Sequence, residues 1–109
     1  MKCLMEIKAG VCGHIAKVAA DSPDEQMVML DIQTDCEKIA SLAKKLEDRE
    51  IDGYAEIGAG FDGVVLTAAR SHLSGCCAGC VVPAGIFKSV QVAARVALPK
   101  DIEMTMQAE

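Results

Sequence analysis

Aromatic side chains are nearly missing from this chain: one Tyr, two Phe and no Trp among 109 residues. A core built without them must be aliphatic. Hydrophobic residues still make up 51% of the chain, so Val, Ile, Leu, Met and Ala can supply one. Basic runs are missing too. The net charge is −5 and no stripe of Lys or Arg forms. Nucleic-acid binding needs a basic footprint, usually with stacking aromatics, so no nucleic-acid partner is expected. No apolar run approaches the roughly 18 residues of a membrane span, and no membrane partner is expected. The opening Met1-Lys2-Cys3-Leu4-Met5-Glu6 is broken by charge at once, unlike a signal-peptide core. These absences point to a cytoplasmic protein. No nucleophile–base–orienter set stands out, so a hydrolase or transferase has little support and an enzyme is not the favoured reading. Gly58-Ala59-Gly60 and Gly63 are only a loose echo of a phosphate loop, without its Lys-Ser/Thr.

What is present fits a single domain over residues 1–109. Only chains below roughly 40 residues usually need disulfides or metals to fold, and a charged fraction of 25% argues against disorder. Cys3, Met5, Ile7 and Ala9 alternate with Lys2, Glu6 and Lys8, the period of a half-buried strand. Gly10-Val11-Cys12-Gly13 suits a hairpin turn. A second strand is expected over 14–20, with Ala16 and Val18 inward. After the turn Asp21-Ser22-Pro23-Asp24, a third is expected over 26–33, with Val28, Leu30 and Ile32 buried. Thr34-x-x-Glu37 reads as a capping box, and Ile39, Leu42, Ala43 and Leu46 recur at helical spacing.

Residues 54–60 suit either a short strand or a helical turn. Asp62 can cap a second helix through Leu73, stopped by Ser74-Gly75. Pro83 suits the first turn of a third helix, expected from about Ala84 to Ala97. Ile102, Met104 and Met106 alternate with Asp101, Glu103 and Thr105, which predicts a last strand. The methionines at strand spacing are expected in the core. The order β-β-β-α-α-α-β gives an α+β two-layer sandwich: a mainly antiparallel four-stranded sheet with helices on one face.

Six cysteines need a reason. In a reducing cytoplasm such thiols more often bind metal or do redox chemistry than form disulfides. The topology carries Cys12, in the first turn, and Cys36, after the third strand, to one end of the sheet. If the second helix runs antiparallel to the first, the loop Cys76-Cys77-Ala78-Gly79-Cys80 arrives there too. One extra crossing around residues 51–60 would send that loop to the other end. Cys3 lies at the opposite end and is expected in the core. The predicted metal ligands are therefore Cys12, Cys36, Cys77 and Cys80, with Cys76 as a substitute ligand; His14, after the Cys12 turn, can be a fifth ligand or proton donor, although a histidine in a strand is more often structural. Cys36 and Cys80 stand at helix starts, where free N–H groups and the helix dipole stabilise negative sulfur. The C-x-x-C spacing of Cys77 and Cys80 lets both reach one ion. His72, near a helix end, suits the helix dipole without a chemical role.

Four thiolates fit tetrahedral zinc or an iron–sulfur cluster. Only one local pair exists, the domain can fold without a staple, and Pro83 follows Cys80 by three residues, which together favour a cluster over Zn2+. The arrangement Val-Cys-Gly-His, a lone Cys36 before a helix, Cys-Ala-Gly-Cys-Val-Val-Pro, and Ala-Leu-Pro-Lys-Asp before the last strand resembles a small uncharacterised cysteine-containing family of anaerobic archaea and bacteria. The resemblance covers nearly the whole chain and implies an anaerobic setting but no activity.

The favoured function is a metal–thiolate domain, with an iron–sulfur cluster serving electron transfer with an unidentified protein redox partner, or accessory to an anaerobic redox system. The alternatives are a structural zinc site, a dithiol redox or metal-handling protein, and a non-enzymatic interaction domain with ordinary buried cysteines.

Overall fold

The computed structural model describes residues 1–109. Three strands open the chain: β1 (Lys2–Lys8), β2 (Ile15–Asp21) and β3 (Met27–Thr34). Helix α1 (Glu37–Glu47) follows, then a two-residue strand β4 (Ile51–Asp52), helix α2 (Gly53–Ala59), a 3-10 turn (Gly60–Asp62) and helix α3 (Val64–His72). A second 3-10 turn (Gly75–Gly79) leads into helix α4 (Val82–Ala93). The sheet is antiparallel in the order β1-β2-β3-β4. The fold is α+β, a four-stranded antiparallel sheet packed against helices.

The alternating pattern of the first three strands becomes the core. Ile7, Ala16, Val18, Ala20, Val28, Leu30 and Ile32 are buried on one face, beneath Ile39, Leu42 and Leu46 of α1, Val65 of α3, and Ile86 and Val90 of α4. The other face carries Leu4, Glu6, Lys17, Ala19, Asp31 and Gln33 around a shallow open depression. Averaged over its length, Gly75–Ala93 is long and apolar enough to cross a membrane, contrary to the expectation that no run approaches a span. Here the stretch is a 3-10 turn followed by a helix whose Val82, Ile86, Val90 and Ala93 lie in the core.

Several elements differ from the sequence expectation, each for a local reason. The fourth strand is Ile51–Asp52, paired with Met27 and Val28, not 102–106. Residues 98–109 form no helix or strand, and Ile102, Met104 and Met106 are exposed. Alternation specifies a strand only when an edge receives it. Met29 likewise lies exposed on the open sheet face and Met5 is half-buried, so the methionines are not a core set.

Thr34 and Glu37 do not form a capping box. Thr34 is the last residue of β3, its hydroxyl accepts from the Cys36 N–H (3.1 Å), and Cys36 is the N-cap of α1. Asp62 does not cap α3 either. It is exposed and faces Arg70 (3.6 Å), while Gly63 takes the N-cap position. Helix α4 starts two residues earlier than Ala84 and ends at Ala93. Arg95 turns left-handed (φ 60°) and the Val96 N–H donates to the Gln91 carbonyl (2.9 Å), a helix-ending turn more often built on glycine. The ambiguous residues 54–60 are α2, capped by Asp52, which accepts from the N–H groups of Tyr54 (2.9 Å) and Ala55 (3.0 Å).

Candidate thiolate site

The hairpin between β1 and β2 closes with the Ala9 N–H donating to the His14 carbonyl (3.1 Å) and the Gly13 N–H to Gly10 (2.9 Å). Gly10 and Gly13 both have positive φ, 96° and 74°, the region L-residues avoid. Cys12 sits exposed at the tip. The hairpin is tied to the start of α1 by Asp35, whose Oδ1 accepts from the Ile15 N–H (3.2 Å) and faces His14 Nδ1 (3.2 Å). These contacts hold the Asp35 carboxyl below its ordinary range, the backbone N–H of Ile15 contributing most. Cys36 is the next residue, half-buried at the helix N-terminus.

The third segment arrives at the same end. Residues 51–62 make no extra crossing: β4 is two residues long and lies beside the start of β3, at the far end from Cys36. Helix α3 then packs against the buried face of α1, and the turn Gly75–Gly79 follows it. Lys38, in the first turn of α1, directs its Nζ to Cys77 Sγ at 3.5 Å. Cys77 and Cys80 belong to one tight turn, the Cys80 N–H donating to the Cys77 carbonyl (3.1 Å). Both are half-buried against the core, Cys76 is exposed, and Val81 caps α4 immediately after Cys80.

Three segments distant in sequence therefore place Cys12, Cys36 and the Cys76–Cys80 turn at one end of the sheet. Their side chains are not drawn together: no three Cys, His, Asp or Glu side chains form a group that could hold a metal ion. All six cysteines are free thiols. Cys3 lies at the opposite end beneath α4, where burial pushes its thiol up and a contact with Ser89 partly offsets that. His72, at the end of α3, faces the Ala68 carbonyl through Nδ1 (2.9 Å), as expected for a helix C-terminus.

Sequence reasoning missed Glu56. It is 2% exposed, and its carboxylate accepts from the N–H groups of Val64 (2.6 Å) and Val65 (3.4 Å), capping α3 from within α2. The one available signal was a lone Glu between Tyr54 and Ile57 ahead of a glycine-rich stretch.

Fold and site together define a small α+β domain with cysteines from three segments at one end. The chain belongs to a family of unknown function, DUF6951, whose model matches residues 3–106. Comparison with curated proteins and with solved structures found no match.

Proposed function

We propose that the cysteine-bearing end is a metal–thiolate site, with Cys12, Cys36, Cys77 and Cys80 as ligands and an iron–sulfur cluster as the favoured occupant. The contact between Lys38 and Cys77 carries the proposal, because it seats the C-x-x-C turn on the same helix end that Cys36 caps. Cys12 rides on an exposed glycine turn tethered through Asp35, so it can close on the other three with little disturbance of the core. The ammonium of Lys38 would offset part of the charge of a four-thiolate site. His14, with Nδ1 held by Asp35, keeps Nε2 free, the arrangement of many metal-ligating histidines. Cys76 is one residue from the ligand pair and exposed, placed to substitute for Cys77.

A cluster here would serve electron transfer with a protein partner, in a reducing and anaerobic cytoplasm that keeps the thiols free. Anaerobic purification tests this directly, with a visible spectrum and with iron, sulfide and zinc measured per chain. A brown protein holding iron and sulfide, lost in Cys36→Ser and Cys80→Ser, is the expected result. One zinc per colourless chain replaces the cluster by a structural site. A reversible Cys77–Cys80 disulfide without metal replaces it by dithiol redox chemistry. Metal-free protein indifferent to both substitutions leaves an interaction domain.

A further inference from the structure

Two features of this molecule lack partners that strand chemistry demands. The first is β1. It is the outer strand of the sheet, seven residues long, with no proline and no bulge in its pairing to β2. Free edges of this kind are usually blunted or covered. Its core-facing Cys3 and Met5 are only half-buried, whereas their neighbours on β2, Ala20 and Val18, are fully buried. The edge side of β1 is where the core is thin.

The second is the segment after α4. Its Ile102, Met104 and Met106 alternate with Asp101, Glu103 and Thr105, and the three apolar residues stand 57%, 73% and 96% exposed. This segment is part of the family's domain, since the family match runs through Met106.

We propose that residues 103–108 of one copy pair with β1 of a second copy, reciprocally, in a strand-exchanged dimer with the pairing antiparallel as in the rest of the sheet. One register sets both methionines on the core side and pairs the charged Glu103 with a lysine. Glu103 falls opposite Lys8, Met104 opposite Ile7, Thr105 opposite Glu6, Met106 opposite Met5, Gln107 opposite Leu4 and Ala108 opposite Cys3. Met104, Met106 and Ala108 then cover the thin edge of the core. Glu103 meets a lysine, and no like charges face each other. Sliding the pairing by two residues to set Ile102 opposite Ile7 puts Glu103 against Glu6, and like charges directly opposite are destabilising.

The occupant cannot be the same chain in this direction. Helix α4 ends at the far end from Lys8, with Arg95 paired to Glu25 of the β2–β3 turn (3.1 Å) and Ala94 against Gly53 beside β4. Residues 96–102 reach at most about 23 Å extended. That is the length of β1 alone, and the segment would also have to cross the width of the sheet, roughly 14 Å at strand spacing. A second copy imposes no such limit.

Light scattering on the full chain at high micromolar concentration tests the proposal. A dimer mass is expected, falling to a monomer when the chain is cut after Lys100. Glu103→Lys sets a lysine against Lys8 at both exchange sites and should weaken the dimer by about tenfold. Lys8→Glu in the same chain should restore it. These point variants lie outside the core, so they remain informative if the shortened chain folds poorly. A monomeric full chain overturns the proposal, as does a dimer insensitive to both the cut and the charge reversal. A monomer whose 102–106 amides resist hydrogen exchange also overturns it, by showing a parallel strand within one copy.

Discussion

A carboxylate among apolar side chains must find donors, and Glu56 finds them in the first turn of α3. Removing it leaves two N–H groups at the helix start without their acceptor, a penalty of about 1–3 kcal/mol. Glu56→Ala should lower the urea-unfolding free energy by that amount, and Glu56→Gln by less, because the amide keeps one acceptor oxygen. Asp24 and Asp35, both exposed, and Asp52, half-buried, are its counterparts nearer the surface. Each has its carboxyl held below the ordinary range, chiefly by backbone N–H groups of Gln26, Ile15 and Ala55 respectively. A folded-state value below the unfolded one means the stabilisation is complete above the unfolded value, near 3.9. It is lost as pH falls through the lowered folded values. The urea midpoint should hold steady down to about pH 5 and then drop, and the drop should shrink in the Asp24→Asn, Asp35→Asn, Asp52→Asn triple variant. The turn role of Asp24 was legible because its donors lie two and three residues on. Glu56 was not, because its donors lie eight and nine residues on, beyond a turn that no local pattern specifies.

At the scale of elements, strand periods were legible wherever an adjacent strand accepts them: the first three strands and their buried faces match the alternation of the sequence. Boundaries were less so. The expected capping box failed because Thr34 is still needed in β3, opposite Ala16, and pairing to the sheet outweighed the local cap. Close approaches between elements left no trace in the pattern at all. At Gly53 a side chain's first carbon would meet the Ala94 β-carbon within 2.5 Å and the Gln26 carbonyl at 3.3 Å. At Gly85, where α4 lies on β1, it would meet Ile7 Cδ1 and Met5 Sδ. The two sites should respond differently to the same change. The Ile7 and Met5 tips can rotate away, and alanine in mid-helix gains up to about 1 kcal/mol over glycine, so Gly85→Ala should be close to neutral. The Ala94 β-carbon has no rotamer to change, so Gly53→Ala must separate α2 from α4. The expected loss is about 1–3 kcal/mol, the usual range for overpacking, measured by urea denaturation of the two variants side by side.

For the whole molecule, the parity of chain crossings decides which end of the sheet each cysteine reaches. Three well-patterned strands settled Cys12 and Cys36. The destination of the Cys76–Cys80 turn depended on residues 51–62, whose two-residue strand and short helix are too brief to carry a readable period. They stay at one end, and α3 brings the turn back to Lys38. The same parity leaves Cys3 at the far end beneath α4, and this gives a discriminating test of the metal–thiolate proposal. Cys3 and Cys36 are both half-buried and both touch the core, so replacing either with serine should cost similar stability in the metal-free protein. Metal binding separates them, because a ligand stabilises only through the site that holds it. At a hundredfold excess over its Kd, an ion or cluster contributes about 2.7 kcal/mol, roughly 10–20 °C in Tm for a domain of this size. Reconstitution under anaerobic conditions should therefore raise the Tm of the parent and of Cys3→Ser alike, and leave that of Cys36→Ser unmoved. Equal shifts in all three would place any metal away from the end of the sheet that carries Cys36 and the Cys76–Cys80 turn.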